Sequence, residues 1–481
     1  MGTKGPRIGI RHLQTVFLFL CLTFIHIVRL NVGVAIVALT DAESTNPNFP
    51  EFSWTEKQKA YILSSFYWGY ILTLCPGSFL CRRFGAKITL FVATFGTALF
   101  SLITPCCITW GGWWAFCVIR ILQGLFQGVI FPCVQEHVAL WSPPEERNRL
   151  GAFSYTGADC GTVLAMFLSG LIAKSPLGWP GISYVSGTLC IVWCILWTIF
   201  GANNAPESRF VTEAECKYIE SSLHHNEDFH QRTIPIPWRA ICGSVPFLAL
   251  LVARCAETWG LSTLQAEIPS YLNGVLNMDI QSNAVFSSLP FLTMWLMSYV
   301  YLIAADVLLK RKWLSLTAVR KLFNSISFWI PAAALIGIGF LGEEHKDLAI
   351  ALMTVSVGVN SGATIGSSLN TIDLSPNHAG IIMGVANTIS TSISIATPLL
   401  VGVIVTDKNE RGQWQIVFGI AAIIFFVGNL VFIIWGTAKV QPWDSEDFLK
   451  PKDAETCVTK RPPIPEQYMT WTESYTTKAI E

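Results

Sequence analysis

The amino-acid sequence predicts an all-α integral membrane protein whose twelve transmembrane helices form two six-helix bundles. Hydrophobic residues make up 52% of the 481 residues and charged residues 13%, whereas soluble globular proteins carry about 25% charged residues. Apolar runs long enough to cross a lipid bilayer recur in two sets of six. Basic residues concentrate in alternate loops between these runs, which is typical of a chain that crosses a membrane repeatedly.

The apolar runs define predicted spans, which we number one to twelve. A run of about 20 apolar residues is long enough to cross the hydrocarbon core of a bilayer. The first six spans occupy residues 15–39, 60–80, 88–108, 113–141, 151–173 and 182–201, and the second six occupy residues 246–272, 283–308, 322–342, 348–371, 381–406 and 415–436.

Two polar stretches divide the chain into domains. Residues 202–245 are charged and contain three prolines. They predict a cytoplasmic linker between an N-terminal six-helix bundle, residues 1–201, and a C-terminal six-helix bundle, residues 246–436. Residues 437–481 are charged, poor in apolar residues and contain five prolines, which predicts a disordered cytoplasmic tail.

The loop charges predict the orientation of the spans. Basic residues lie at the N-terminus and in the loops after spans two and eight, whereas acidic residues follow spans one and nine. Because positively charged loops stay on the cytoplasmic side, both termini are predicted to be cytoplasmic. No clear sorting signal stands out in the tail, which favours the plasma membrane over a lysosomal or vesicular membrane. The two basic loops are also predicted gating loops, through Arg82, Arg83, Lys87, Asp306 and Arg311.

Composition and motifs argue against two other classes of function. The 32 basic and 32 acidic residues balance, whereas a nucleic-acid-binding protein carries an excess of positive charge. Residues 337–342 fit GxGxxG, but they end a membrane span and follow no strand, so they do not predict a nucleotide site. Since no HExxH, GxSxG or P-loop motif occurs either, the sequence predicts neither an enzyme nor a metal site.

Two arginines lie inside predicted spans of the first half, where a charge costs about 3 kcal/mol even on lenient scales. Arg29 lies in span one and Arg120 in span four, and the spacing of Arg120, Gln123 and Gln127 places them on one helix face. Guanidinium groups bind carboxylate or phosphate through forked donors. The alternative is that each arginine is a structural ion-pair partner. The predicted anion-binding residues are Arg29, Arg120, Gln123, Gln127 and Asn387.

Acidic and polar side chains in other spans are candidates for binding a coupling ion. A carboxylate at membrane depth can carry a proton or help to hold sodium, and the oxygen-lined helix faces of spans ten and eleven can supply further ligands. The alternatives are ion pairing, as of Glu257 with Arg254, and hydrogen bonding between helices. The coupling-ion candidates are Asp159, Glu257, Glu267, Asn360, Thr364 and Thr391.

Glycines four residues apart predict places where helices approach closely. Gly124 and Gly128 form such a pair in span four, and Gly358, Gly362 and Gly366 form a series in span ten. Small residues at this spacing let two helix backbones come together within a membrane.

Short segments spread over most of the chain form a characteristic set. They include residues 29–37 (RLNVGVAIV), 65–73 (SFYWGYILT), 120–124 (RILQG), 141–147 (WSPPEER), 267–271 (EIPSY), 383–387 (MGVAN) and 441–443 (QPW). Together they resemble the anion:cation symporter family of the major facilitator superfamily, which includes sialin, the vesicular glutamate transporters and the inorganic phosphate cotransporters. The chain looks most like the inorganic phosphate cotransporters of insects.

The resemblance implies a major-facilitator fold with alternating access, and anion transport driven by sodium or protons. It implies Arg29 and Arg120 as anion contacts, because they match arginines of the family. Many members have a glutamate at Gln127, and the vesicular glutamate transporters have a histidine at Leu63 and an arginine near Glu257. These differences argue against vesicular glutamate loading and leave the anion and the coupling ion open.

The predicted function is therefore secondary active transport of a small anion, with inorganic phosphate and sodium as the leading pair. An organic carboxylate carried with protons is the second interpretation. A transporter-like protein that senses an anion without turnover is a hypothesis of another class, suggested by the departures at Gln127 and Glu257. No cofactor is expected, apart from sodium or a proton as the coupling ion.

Overall fold

The computed structural model describes residues 9–40, 46–74, 76–224, 236–376, 378–445 and Phe448. The regular structure in these residues is helical, because a helix satisfies its backbone hydrogen bonds within one segment, as a bilayer interior requires. The side chain of Arg82 lies outside the described part. So does most of the predicted tail, from residue 446 onward except Phe448.

The first half of the chain forms spans one to six. A short helix, Gly77–Phe84, follows span two, and another, Glu213–His224, lies in the predicted linker. The spans are Ile10–Thr40 (one), Glu56–Leu74 (two), Ala86–Gln127 (three and the start of four), Ile130–Trp141 (the rest of four), Pro144–Lys174 (five) and Gly178–Phe200 (six).

The second half of the chain forms spans seven to twelve. Span ten is irregular, since a π-helical turn, Thr364–Ser368, lies between its two helical parts. Short helices at Trp238–Cys242, Glu343–His345 and Pro442–Asp444 flank the spans. The spans are Val245–Gly274 (seven), Ile280–Lys310 (eight), Leu316–Gly339 (nine), Lys346–Asn360 with Leu369–Leu374 (ten), Ala379–Ile404 (eleven) and Arg411–Trp435 (twelve).

By length and composition, 10 of the described helical segments could cross a membrane. The segment Ala86–Trp141, 56 residues long, is one of them but contains both span three and span four. It breaks at Gly112, whose φ of 58° glycine adopts without a Cβ clash. Span two is not among the ten, because charged residues crowd its first turn. With these two corrections, the helices match the twelve predicted spans.

Among the described residues, three pairs of spans make the most extensive contacts between the two halves of the chain. Within the first half, span one packs on spans five and six, and span two packs on span four. Within the second half, span seven packs on spans eleven and twelve, and span nine packs on spans ten and twelve. Between the halves, span one meets span seven, span two meets span eleven, and span five meets span eight.

The predicted glycine contacts are confirmed. A Cβ atom on Gly124 would lie 2.0 Å from the carbonyl oxygen of Phe66, and one on Gly128 would lie 2.4 Å from that of Tyr70. Span two is therefore the helix that approaches span four closely. In span ten, Cβ atoms added to the predicted glycines would lie similarly close to atoms of spans eight and nine.

We call the end of the protein where the odd-numbered spans finish the outer end, following the predicted orientation, and the opposite end the inner end. At the outer end the two halves are in close contact. A Cβ atom on Gly402 of span eleven would lie 2.3 Å from Ala60 Cβ of span two, and one on Gly170 of span five would lie 2.1 Å from Ala284 Cβ of span eight. Backbones this close leave the outer end closed between these spans.

At the inner end, the predicted linker contains a helix that binds the first half. The Glu215 carboxylate of helix Glu213–His224 accepts hydrogen bonds from the backbone nitrogens of Ile10 (3.0 Å) and Arg11 (3.2 Å). Arg11 Nη1 also lies 3.2 Å from Glu215 Oε1, and Arg11 Nε lies 2.7 Å from Glu146 Oε2. These bonds join span one, the linker helix and the start of span five.

Residues 437–445, which the sequence assigned to the tail, pack on the inner end of the second half. The amide of Asn370 donates to the carbonyl oxygen of Thr437 at 2.9 Å, and the backbone nitrogen of Gln441 donates to that of Leu374 at 2.9 Å. Trp443 is buried in an apolar cluster with the start of span seven. Burial of this large ring explains why the ordered chain continues past span twelve.

Candidate functional site

The two predicted anion-binding arginines both contact one aromatic cluster in the first half. The cluster consists of Phe66, Tyr67 and Tyr70 of span two. The Arg29 guanidinium lies 5.1, 5.1 and 5.0 Å from the centroids of these three rings. The Arg120 guanidinium lies 4.7 Å from the Phe66 ring. Cation–π contacts of this kind stabilise a charge where water is scarce. The structure therefore brings Arg29 and Arg120 together, as predicted.

Arg120 uses its donors to hold span one. Its Nη2 donates to the backbone carbonyl oxygen of Arg29 at 2.9 Å, and its Nη1 donates to that of Val28 at 3.3 Å and to Gln123 Oε1 at 3.2 Å. Its side chain is only 3% exposed. The close contact of Gly124 with span two places Arg120 at this depth. The guanidinium of Arg120 therefore forms hydrogen bonds within the protein in this conformation, whereas Arg29 is half-buried and more accessible.

The first half carries positive charge at this level without an acidic partner. In the described part of the chain, no carboxylate lies within 4 Å of the guanidinium of Arg29 or Arg120. The predicted alternative of a structural ion pair therefore has no partner among these residues. Gln127, two turns after Arg120 along span four, is buried, and among the described residues its Nε2 has no hydrogen-bond partner. An unsatisfied buried donor costs about 1–3 kcal/mol.

A second polar cluster lies in the other half, around Arg254 of span seven. Its Nη1 bonds to Glu257 one turn later and donates to Ser368 Oγ at 2.6 Å, and its Nη2 donates to Asn387 Oδ1 at 3.2 Å. Asn387 is thus placed with Glu257 rather than with Arg29. The π-helical turn Thr364–Ser368 presents Ser368 to this cluster, and such turns occur often at functional sites.

The remaining coupling-ion candidates are scattered. Asp159 of span five is half-buried, and no hydrogen bond or ion pair joins it to another described residue. Asn360 donates to the carbonyl oxygen of Ser327 at 3.1 Å, which is the interhelical hydrogen bond that the sequence left as the alternative. Thr364 is exposed and Thr391 is half-buried. Neither is brought together with Glu257 by a hydrogen bond. Glu267 lies far along span seven, at the outer end.

The predicted gating residues make few contacts with each other. Lys310 Nζ lies 2.6 Å from Asp306 Oδ2 within one exposed helix turn, and Arg311 stacks 5.2 Å from the Trp313 ring. Arg83 packs on the adjacent Phe84 ring at 5.7 Å. The backbone nitrogen of Lys87 donates to Asn203 Oδ1 of the linker at 2.9 Å. Arg82 has no described side chain.

An inner-end ion pair that the sequence did not predict joins spans nine and ten. Arg320 Nε and Nη2 lie 2.6 and 3.2 Å from the two carboxylate oxygens of Asp373, and Arg320 Nη1 donates to the carbonyl oxygen of Ile365 at 2.8 Å. Arg320 lies between the predicted spans eight and nine, in the basic loop. Asp373 stands at the end of an apolar run, and a search for acidic residues at span ends would have found it.

The sequence did not predict that Tyr67 and Tyr70 would be neighbours of Arg29. Their spacing of three residues places both on one face of span two, and that face could have been noticed. What the sequence could not indicate is that this face turns toward span one. The close approach of Gly69 to the backbone of Ile121 decides the rotation of span two.

Comparison with known proteins supports this description. Residues 18–398 match the sequence profile of the Major Facilitator Superfamily. A Drosophila melanogaster protein named "Putative inorganic phosphate cotransporter" is 36% identical over 477 residues, covering 94% of this chain and 90% of that protein. Human sialin is 32% identical over 459 residues, covering 91% of each.

The fold also matches solved structures. The crystal structure of a D-xylose-proton symporter superposes with a TM-score of 0.68 and covers 89% of this chain and 99% of its own. At 13% sequence identity, this likeness shows the fold alone. The matching proteins are transporters and not enzymes, in agreement with the sequence.

Proposed function

Since the chain belongs to the Major Facilitator Superfamily, and within it to the anion:cation symporter family, we propose that it carries a small anion across a membrane by alternating access. Inorganic phosphate with sodium is the first pair to test, because it fits the name of the relative that is 36% identical. The observation that carries the proposal is the pair of arginines, Arg29 and Arg120, which have no carboxylate within 4 Å among the described residues.

The two arginines have different roles in this proposal. Arg29 is the anion ligand, because its guanidinium is half-buried beside span two and can offer forked donors to phosphate or carboxylate oxygens. Arg120 is a positioning residue, because it bonds to the carbonyl oxygens of Val28 and Arg29 and so fixes the part of span one that presents Arg29. Gln127 contributes the buried amide donor that lacks a partner in the structure.

The cation of the transport cycle acts through a carboxylate in this proposal. Glu257 is bonded to Arg254, so a sodium ion or a proton on Glu257 would free Arg254 for other contacts. Asp159 is the candidate in the first half, where it would offset the positive charge of Arg29. These carboxylates could bind either sodium or a proton. Sodium is tested first because phosphate, the first anion to be tested, is paired with sodium in the leading hypothesis.

Transport of an organic carboxylate with protons is the second candidate function. The observation that favours it is the 32% identity to human sialin over nearly the whole chain. Forked guanidinium donors bind a carboxylate as well as a phosphate, so the side chains around Arg29 are suited to an organic carboxylate and to phosphate alike.

We also propose an orientation in the membrane and a location in the cell. The protein is a multi-pass membrane protein. We place both termini in the cytoplasm because the basic loops lie on their side of the membrane. We place the protein in the plasma membrane because its sequence lacks a clear sorting signal. Glycosylation-site insertion into the loop after span one, followed by a gel-shift assay, tests the orientation.

The test of function is uptake of radiolabelled phosphate into proteoliposomes that contain the purified full-length protein. Uptake is measured with an inward sodium gradient, with an inward proton gradient and with neither. Sodium-driven accumulation that Arg29→Ala abolishes supports the proposal. The matched control is Arg239→Ala, which removes an exposed arginine before span seven and should transport normally.

Other outcomes decide between the alternatives. Absence of phosphate accumulation under both gradients rejects phosphate as the substrate, and sialic acid, glutamate and urate are then tested with a proton gradient. Binding of labelled anion at one equivalent per protein, without accumulation of any of these anions, would indicate an anion sensor instead of a transporter.

A further inference from the structure

A small cavity of about 10 Å³ lies between the two halves of the protein at the outer end. This volume is about that of one water molecule by the same measure. Span two contributes Glu56 and Lys59, span seven contributes Glu267 and Ser270, and spans one and eleven contribute only uncharged residues. The other residues that line the cavity are uncharged.

The charges around this cavity do not balance. Lys59 Nζ lies 2.8 Å from Glu56 Oε1, so these two residues of span two form an ion pair. Glu267 faces the pair from span seven and is 7% exposed. No hydrogen bond or ion pair joins the Glu267 side chain to another described residue, and no basic group other than Lys59 lines the cavity. The cavity thus contains two carboxylates and one ammonium group, which is paired with Glu56.

An ionised Glu267 would be costly in this place. A buried carboxylate without its own partner loses its hydration, and the cost is several kcal/mol even after relaxation. The cavity has room for about one water molecule, which cannot replace a hydration shell. The neighbouring Glu56 carboxylate adds repulsion, which Lys59 only partly cancels because it is already bonded to Glu56.

We propose that Glu267 binds a proton from the outer solution when the outer end closes, and releases it when the outer end opens. The step adds one proton to one carboxylate and involves no other reactant. A proton is favoured over sodium because the cavity already holds the ammonium group of Lys59. A second cation there would be repelled, whereas a proton removes the unbalanced charge.

The position of the cavity links this proton to the movement of the two halves. Glu267 belongs to the second half, and Glu56 and Lys59 belong to the first. A Cβ atom on Gly402 would lie 2.3 Å from Ala60 Cβ, and one on Gly33 would lie 3.6 Å from Pro269 Cγ, so the helices close the space around these residues. Separation of spans two and seven would admit water to Glu267 and stabilise its ionised form. The inference rests on the proposed alternating access, and it names the ion that couples to closure of the outer end.

Hydrogen–deuterium exchange of the full-length protein in lipid nanodiscs tests this without any substrate. Peptides covering the start of span two and the end of span seven are followed between pH 5 and 9, after correction for the intrinsic exchange rate. In the wild type, protection should increase as the pH falls, because protonation favours the closed state. Glu267→Gln, which mimics the protonated side chain, should keep these peptides protected throughout. Glu344→Gln, at an exposed outer-end carboxylate, should behave like the wild type.

Lys59→Met provides a second, independent variant. Removal of the basic group that lines the cavity should shift the midpoint of protection to higher pH by about 1 unit or more, since a positive charge beside a carboxylate favours its ionised form. Equal protection of wild type and Glu267→Gln at every pH, or a midpoint unmoved by Lys59→Met, would overturn the proposal.

The same experiment distinguishes a proton from sodium. If wild-type protection at pH 9 increased with sodium chloride but not with choline chloride, and Glu267→Gln lost this response, the site would bind sodium and the proton assignment would be wrong. Because exchange is measured without phosphate or any organic anion, its result is separate from failure of the proposed transport function. If the protein took up none of the anions, the transport proposal would fail, but the pH response of the outer end could still be observed.

Discussion

The Arg120 guanidinium donates a 2.9 Å hydrogen bond to the backbone carbonyl oxygen of Arg29. The two arginines expected to bind an anion together are therefore joined by a direct hydrogen bond from the side chain of one to the backbone of the other. An arginine that holds a backbone has little freedom to follow a ligand, whereas one packed against aromatic rings can turn toward it. This difference separates the expected effects of their substitutions.

Lysine substitutions should distinguish the two arginines. Arg29→Lys keeps the charge but loses the forked donors, so the apparent KM for the anion should rise about tenfold, which is about 1.4 kcal/mol, with little change in thermal stability. Arg120→Lys should lower thermal stability as well, because one ammonium group cannot reach both carbonyl oxygens and the Gln123 amide. Uptake kinetics and thermal unfolding of both variants check this. Equal loss of stability in the two would contradict the assignment of roles.

The pair of Arg254 and Glu257 should behave as a unit. Removal of one charge of a buried pair leaves the other uncompensated and costs about 3–5 kcal/mol, whereas removal of both is tolerated better. Arg254→Gln and Glu257→Gln should each lower thermal stability more than the double variant does. A double-mutant cycle on unfolding in detergent measures this coupling, and additive effects would show that the two side chains act independently.

The glycine contact between spans two and four should be intolerant of a methyl group. A Cβ on Gly124 would lie 2.0 Å from the Phe66 carbonyl oxygen, so Gly124→Ala must push the helices apart, and overpacking of this kind costs about 1–3 kcal/mol. Transport should fall too, because Arg120 moves with span four. The control is Gly419→Ala in span twelve, where nothing lies within 4 Å of the added Cβ. Equal stability of the two variants would refute the prediction.

The inner-end contact of Glu146 with Arg11 should make stability depend on pH. Glu146 precedes the apolar part of span five, and the hydrogen bond from Arg11 lowers the pKa of its carboxyl below the usual range. A carboxyl whose pKa is lowered by folding stabilises the protein above its unfolded pKa, about 4.3. That stability is lost as the pH falls through the lower folded value. The difference in unfolding temperature between wild type and Glu146→Gln should thus be constant from pH 8 to about 5 and shrink below.

A difference that stayed the same below pH 4 would show that ionised Glu146 is not the source of the stabilisation. Glu213→Gln serves as the control, because Glu213 pairs only locally with Lys217, and both side chains are more than 70% exposed. Exposed pairs contribute about 0–1 kcal/mol, so this variant should follow the wild type at every pH.

The sequence predicted the spans well because the signal is local. A bilayer of fixed thickness requires about 20 apolar residues for each crossing, and those runs are visible without any knowledge of neighbours. The helix contacts at Gly124 and Gly366 were predictable for the same reason, since small residues at a spacing of four mark a close approach wherever the partner is. Span two shows the limit, because the charged start of Glu56–Leu74 makes it too polar for a hydropathy criterion.

The sequence could suggest the pair of Arg254 and Glu257, which lie one helix turn apart, but the neighbours of the other charged residues in the spans followed from the tertiary structure alone. The sequence placed Arg120 and Glu267 at membrane depth, but the groups that face them lie on helices far away in the chain, and helix rotation decides which side chains meet. The contact of Gly124 with span two directs Arg120 onto the carbonyl oxygens of span one. The meeting of spans two and seven places Glu267 opposite an ion pair that is already complete. Hydropathy fixes how often the chain crosses the membrane, and packing decides where its charges are left unbalanced.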